Sequence, residues 1–170
     1  MALRPIKNCF DPVLRKQCEI VKNIDGELVK LSEDMIETTL AAPGVGLAAN
    51  QIGISQRIFV VNMGVETDKD NLVTLINPEI TAIEGNELGE EGCLSIPDVI
   101  AKVKRATQVE IKAVDLNGKD IRYEANGFLA RALQHEMDHL NGILFWDSLG
   151  KIKRDILKRK FKKKLKEQDE

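Results

Sequence analysis

Gln134-His135-Glu136-Met137-Asp138-His139-Leu140 is an H-E-x-x-H sequence set in an apolar run of helical spacing. Four residues are a little over one helical turn, so His135 and His139 project from one face. Two imidazoles so placed can grip one divalent metal. Glu136 lies too far round the helix to be a natural third ligand, and is placed instead to move the protons of a water on that metal. The chain has two histidines, and both fall in this stretch. A buried helix can also carry two histidines that only hydrogen-bond. A third ligand separates the two readings, because a hydrolytic centre needs three protein donors and an open position.

Around the motif, Phe128, Leu129, Ala132, Leu133, Met137 and Leu140 continue the apolar face of a helix. It starts near Asn126-Gly127, and Asn141-Gly142 closes it with a C-terminal glycine signal. Ile143 to Trp146 reads as a short final strand. Upstream, Val99 to Arg105 and Thr107 to Asp115 read as strands. Asn117-Gly118 then turns the chain, since Asn-Gly accepts the positive φ of a tight hairpin, and Ile121 and Tyr123 alternate on the return strand.

Gly89-Glu90-Glu91-Gly92-Cys93-Leu94-Ser95-Ile96-Pro97 precedes these strands. A thiolate binds Zn²⁺ or Fe²⁺ strongly. Cys93 is the one cysteine in a glycine-flanked, loop-like setting, so it is the candidate third ligand; the alternative is a simple buried thiol. Cys9 and Cys18 read as small core residues. Three cysteines at unrelated spacings argue against a disulfide framework and for a reducing compartment.

In the first half, Asp11-Pro12 predicts a short helix to about Cys18, and Asp25 caps a second whose core face is Leu28, Leu31, Met35 and Ile36. Pro43-Gly44-Val45-Gly46-Leu47-Ala48-Ala49-Asn50-Gln51-Ile52-Gly53 is either a tight turn beneath a sheet or a place where another chain approaches the backbone closely. It lacks the Lys-Ser/Thr ending of a phosphate loop. Arg57 to Asn62 and Leu72 to Ile76 read as strands, with Met63 to Asn71 a surface loop between them and Asn77-Pro78 closing the second. Glu79 to Glu87 reads as a third strand.

At 170 residues, with 43% hydrophobic and 31% charged residues, the chain has the composition of one ordinary soluble domain. No apolar run approaches the roughly 20 residues of a membrane span, and Met-Ala-Leu-Arg-Pro-Ile-Lys lacks the apolar core of a secretory signal. Residues 151–170 carry ten Lys/Arg and four Asp/Glu, which leaves the other 150 residues acidic, with 15 against 23. The sequence therefore divides into a body, 1–150, and a basic helical extension, 151–170, with Ile152, Ile156, Phe161 and Leu165 as a thin apolar stripe. That helix is either solvated and docked by its stripe or a cationic contact for nucleic acid. Without interleaved aromatics, sequence-specific base reading is not expected.

Gly44-Val45-Gly46-Leu47-Ala48-Ala49-Asn50-Gln51, Glu91-Gly92-Cys93-Leu94-Ser95 and Gln134-His135-Glu136-Met137-Asp138-His139 together resemble, in order, the three signature motifs of peptide deformylases. The resemblance runs from near Cys9 to about Leu149. It implies an α+β fold, with antiparallel β-sheets packed around a central helix carrying H-E-x-x-H and the basic C-terminal helix beyond. It implies N-terminal processing during protein biosynthesis, the removal of formate from formylmethionine on new polypeptides. The metal ligands would be Cys93, His135 and His139, and the ion natively Fe²⁺, with Zn²⁺, Ni²⁺ or Co²⁺ able to substitute. Glu136 would be the general base, and Gln51 and the Leu94 N–H the oxyanion donors. The peptide would lie as an added strand near Val45, Gly46 and Gly92. Arg131, one turn before His135, would help line the methionine pocket, and Arg105 matches a family arginine near substrate, although Lys104 replaces a common proline beside it. The basic extension resembles one through which some bacterial members dock at the ribosome. The expected place is a bacterial cytoplasm, with an organellar matrix as second choice.

Two other classes are weighed against this. A metallopeptidase would usually take its third ligand from a downstream histidine or a carboxylate, and no histidine follows His139. A non-catalytic module of the same fold would commonly have lost Glu136, Cys93 or Gln51, and all three are present.

Overall fold

The computed structural model describes residues 2–64 and 71–168. The middle of the expected loop between Met63 and Asn71 lies outside them. Helix α1 spans Gly26–Ala41, capped by the Asp25 carboxylate accepting from Leu28 N–H at 3.0 Å. Strands β1 (Gly46–Ala48), β2 (Ile58–Asn62), β3 (Leu72–Glu84), β6 (Gln108–Val114) and β7 (Asp120–Asn126) form one antiparallel five-stranded sheet in the order β1-β2-β3-β6-β7. Strands β4 (Glu87–Cys93) and β5 (Ile96–Arg105) form a separate two-stranded hairpin. Helix α2 spans Gly127–Leu140 and α3 Lys151–Gln168.

The large sheet is covered on both faces, which explains the uninterrupted apolar run of β2. Side chains alternate across a strand, so Phe59 and Val61 join Leu75, Ile111 and the α2 residues Ala130, Leu133, Met137 and Leu140. Ile58 and Val60 instead meet Leu28, Leu31 and Met35 of α1. The motif helix is thus locked into the main core along its whole length. Its end is fixed by Gly142 at φ 75°, where a Cβ would lie 2.6 Å from the Arg15 carbonyl.

The hairpin has its own smaller core. Ile96, Ala101 and Val103 pack with Cys9, Leu144, Phe145, Trp146 and Phe161. Phe161 comes from α3, with Leu157 and Leu165 beside it. The docked stripe is therefore 157, 161 and 165; Ile152 and Ile156, expected in it, are exposed.

The α+β expectation holds, with three local differences. Leu72–Ile76 and Glu79 onward are one strand, β3, rather than two. Asn77 adopts φ 50° at a register shift against β6, and its amide bonds Val21 N–H and C=O at 2.8 and 2.9 Å, so the chain bulges there instead of ending. Ile143–Trp146 is not a strand: Phe145–Ser148 is a 3-10 turn whose Asp147 carboxylate accepts from Leu144 N–H. Cys93 is the last residue of β4 rather than part of a loop.

Candidate metal centre

The histidines come from α2, the sulfur from the end of β4. The α2 helix presents His135 and His139 with their Nε2 atoms 3.1 Å apart. Cys93 Sγ lies 3.3 Å from His139 Nε2, and all three donor atoms fall within 4.8 Å of one another. The edge of a tetrahedron about an ion bound at metal–nitrogen and metal–sulfur lengths is roughly 3.3–3.7 Å. Two imidazole nitrogens and a sulfur converging this closely form a donor set that could hold a metal ion.

The Glu91 carboxylate, 5% exposed, accepts from His135 Nδ1–H at 2.9 Å. That bond orients the ring and leaves Nε2 for the centre. Glu91 also takes two guanidinium bonds from Arg105, at 2.8 and 2.9 Å, and one from Arg131, at 2.8 Å. Burial pushes this carboxyl up, but the Arg105 and His135 bonds outweigh burial and bring it down to about 2. His135 is buried too, which lowers its pKa, yet hydrogen bonding with Cys93 and Glu91 raises it to about 10. Burial and the neighbouring His135 hold His139 well below the usual histidine range. A metal bound through His135 Nε2 would therefore displace a proton.

Glu136 is buried, and its Oε2 has no hydrogen-bond partner among the described residues. Burial pushes its carboxyl up to about 7. An unpartnered carboxylate that titrates near neutrality is suited to take and return a proton.

The first glycine-rich stretch explains itself through these neighbours. A Cβ at Gly46 would lie 2.9 Å from the Val60 carbonyl and 3.1 Å from Glu136 Oε1, and one at Gly44 would lie 2.8 Å from Leu94 Cδ1. The stretch meets its turn reading. It forms β1 and a 3-10 turn, Ala49–Ile52, and its backbone is where the two other motifs approach. Gln51 is buried, its Oε1 accepting from Ala48 N–H at 3.0 Å. Its Nε2 points at Ser95 Oγ, 3.1 Å, and Cys93 Sγ, 3.7 Å. Asn50 donates to the His139 carbonyl at 2.5 Å, tying this segment to α2.

A cavity of about 450 Å³ opens onto the centre, lined by Val45, Gly46, Gln51, Gly92, Cys93, Leu94, Arg131, His135 and Glu136 among others. β1 is the edge of the large sheet beside it. Of the residues singled out in the sequence, all but His139 and Arg105 line the cavity. His139 is a buried donor at its floor. Arg105 lies behind Glu91, 9% exposed, and also bonds Asp138 at 2.5 Å. The sequence reading passed over Glu91. The available signal was its position two residues before Cys93, which puts both on one face of a strand. Phe128, expected on the apolar face of the helix, stands exposed on the cavity wall instead.

A helix-borne H-E-x-x-H meeting a strand-borne cysteine beside an open cavity is the arrangement of a metal-dependent hydrolase. The family model described as polypeptide deformylase matches residues 3–155. A peptide deformylase of Thermodesulfovibrio yellowstonii is 49% identical over 164 residues, covering 96% of this chain and 99% of that protein. The crystal structure of a peptide deformylase from Legionella pneumophila superposes with a TM-score of 0.93 at 42% identity, covering 99% of this chain and 98% of that one. One from Ehrlichia chaffeensis in complex with actinonin gives 0.89 at 39%, covering 96% and 98%. The chain belongs to the peptide deformylase family.

Proposed function

We propose the following division of labour for the family's reaction, hydrolysis of the N-formyl group from formylmethionine on new polypeptides. Cys93, His135 and His139 hold one divalent ion, and the convergence of their donor atoms within 4.8 Å carries this reading. Bound there, the ion would acidify a water and polarise the formyl carbonyl. Glu136 takes the proton of the attacking water and delivers it to the departing amine, so formate and a free N-terminus leave. The Gln51 amide and the Leu94 N–H donate to the formyl oxygen as it gains charge. The peptide adds to the open edge of β1 at Val45 and Gly46, with Gly92 opposite. The stem of Arg131 lines the methionine pocket, and Arg105 supports it from behind Glu91. A formyl carbon bears only hydrogen, so a cramped centre admits it and rejects bulkier acyl groups.

A cysteine thiolate with two imidazoles suits Fe²⁺ as the native ion, with Zn²⁺, Ni²⁺ or Co²⁺ substituting. Residues 1–150 form the catalytic unit in a bacterial cytoplasm. Residues 151–170 extend it with a cationic face that contacts the ribosome, while no helix among the described residues is long and apolar enough to cross a membrane. Reversing the exposed Lys160, Lys163 and Lys166 to Glu should abolish salt-dependent ribosome binding; unchanged binding rejects that contact.

The test of the main reading is anaerobic purification with metal analysis, then turnover of formyl-methionyl and acetyl-methionyl peptides. One ion per chain and formate release from the formyl peptide alone are expected. Equal turnover of both peptides, or none by fully loaded protein, would defeat it.

A further inference from the structure

Arg131 does something the substrate reading does not require. Its side chain is 12% exposed, and its guanidinium reaches into the β4–β5 hairpin. There it donates to the Val103 carbonyl at 2.8 Å, to the Glu87 carbonyl at 2.8 Å and to Glu91 Oε2 at 2.8 Å, with the Gly89 carbonyl at 3.5 Å. Those acceptors span both strands. Gly89 is the clearance for it: a Cβ there would lie 2.9 Å from Nη2 and 3.0 Å from Cζ. Arg131 sits one turn before His135 on α2, while Glu91 sits two residues before Cys93 on β4. One side chain thus ties the helix that carries the imidazoles to the strand that carries the sulfur.

We infer that Arg131 is a positioning residue that sets the spacing between Cys93 and the two histidines by clamping the hairpin onto α2. Other bonds cross the same joint, from His135 to Glu91 at 2.9 Å and between the Gln134 amide and both backbone groups of Ala106, just past β5, at 2.9 Å, but none of them reaches both strands. The hairpin shares no backbone hydrogen bonds with the five-stranded sheet in its strand pairing, and its core is separate from that of α2. Arg105, the last residue of β5, itself ties the hairpin to α2 through Asp138 and braces Glu91, whereas Arg131 reaches from α2 to carbonyls of both strands. Lys could not replace Arg131, since one ammonium cannot serve two strand carbonyls and a carboxylate in a planar fork.

The inference rests on the metal-site reading, so the test reports on the ion directly. Co²⁺ is titrated into metal-free wild type, Arg131→Met, Arg131→Lys and Gly89→Ala, following the thiolate-to-Co²⁺ charge-transfer band, and turnover is measured separately. Arg131→Met keeps the apolar stem and removes the clamp. It should bind Co²⁺ about 10-fold more weakly, the low end of the range for losing a ligand's own outer partner, since Arg131 acts one step beyond Glu91. Its charge-transfer band should fall, and kcat should drop with KM little changed. Gly89→Ala should move the same way, because the added methyl displaces the guanidinium. Unchanged Co²⁺ affinity and spectrum with a raised KM would overturn the clamp and make Arg131 a substrate contact. Should Arg131→Met lose its cooperative thermal transition, Arg131→Lys decides: an intermediate loss supports the clamp, and wild-type binding overturns it. Wild type that binds no Co²⁺ would instead sink the metal-site reading.

Discussion

His139 and Cys93 meet at 3.3 Å, yet the two regions that carry them are held in unlike ways. Helix α2 is part of the main core, with Ala130, Leu133 and Leu140 fully buried against the large sheet. The hairpin is a satellite, fixed by its own aromatic cluster, by α3 and by side-chain bonds to Glu91 and Arg131. A metal centre assembled across that joint inherits its precision from both. The helix supplies rigidity through packing, which is non-directional and large. The hairpin supplies placement through polar bonds, which are directional and individually modest.

The largest effect should separate chemistry from assembly. Glu136→Ala removes a side chain that shapes neither region's attachment. It should retain its metal and lose about 10²–10⁴-fold in kcat, the usual reach of general acid–base catalysis. Metal content by elemental analysis beside formate release checks this, and normal turnover would end the base assignment. Cys93→Ala should do the reverse, losing the ion first and activity as a consequence.

Next comes the core half of the comparison. Leu133 is fully buried between α2 and the sheet. Leu133→Ala should cost about 2–5 kcal/mol in denaturant unfolding, by lost transfer energy and a cavity. Circular dichroism and metal release should then report one joint transition. If the metal left well before the helix unfolded, α2 would not be the rigid partner described here.

Acid should act on the hairpin half. The Glu91 carboxyl ionises at about 2 against an ordinary 4.5. A depressed pKa stabilises the fold above the unfolded value and ceases to do so as pH falls through the folded one. The loss should therefore run from about pH 4.5 down to about 2, and be worth on the order of 3 kcal/mol. Thermal melts of metal-free protein across that window would show it. Glu91→Gln should flatten that part of the profile, and an equally steep profile in the variant would remove Glu91 from the joint.

The same division explains what could be read without coordinates. The H-E-x-x-H helix, its glycine stop and the Asn117-Gly118 hairpin are local signals, in which the residues that decide the structure are adjacent in sequence. The three converging donors were legible because two histidines at one spacing left a single gap that one cysteine could fill, and because three motifs in order resembled a known family. The joint was not legible. Arg105 and Arg131 are long and cationic beside a peptide site, which looks like substrate binding. Only the tertiary placement of Glu91 turns their charges inward. Ile143–Trp146 has strand-like composition, but it packs against β5 without pairing with it, and Asp147 caps the turn instead. The C-terminal stripe was misread by one helical position, since Leu157 rather than Ile156 meets the hairpin core.

The smallest expected effect tests how α3 holds the hairpin. Lys164 pairs with Asp98 at 2.5 Å, but both side chains are well exposed, at 46% and 66%. An exposed pair contributes about 0–1 kcal/mol and weakens with salt. Phe161, by contrast, is buried with Trp146 at a ring separation of 6.3 Å. Lys164→Ala should therefore leave the thermal midpoint and the Co²⁺ affinity almost unchanged, and any small shift should vanish at high salt. A loss larger than about 1 kcal/mol that persists in salt would mean that the helix is fastened to the hairpin by charge. That charge pair would then fasten the hairpin beside the Phe161 packing rather than merely decorate it.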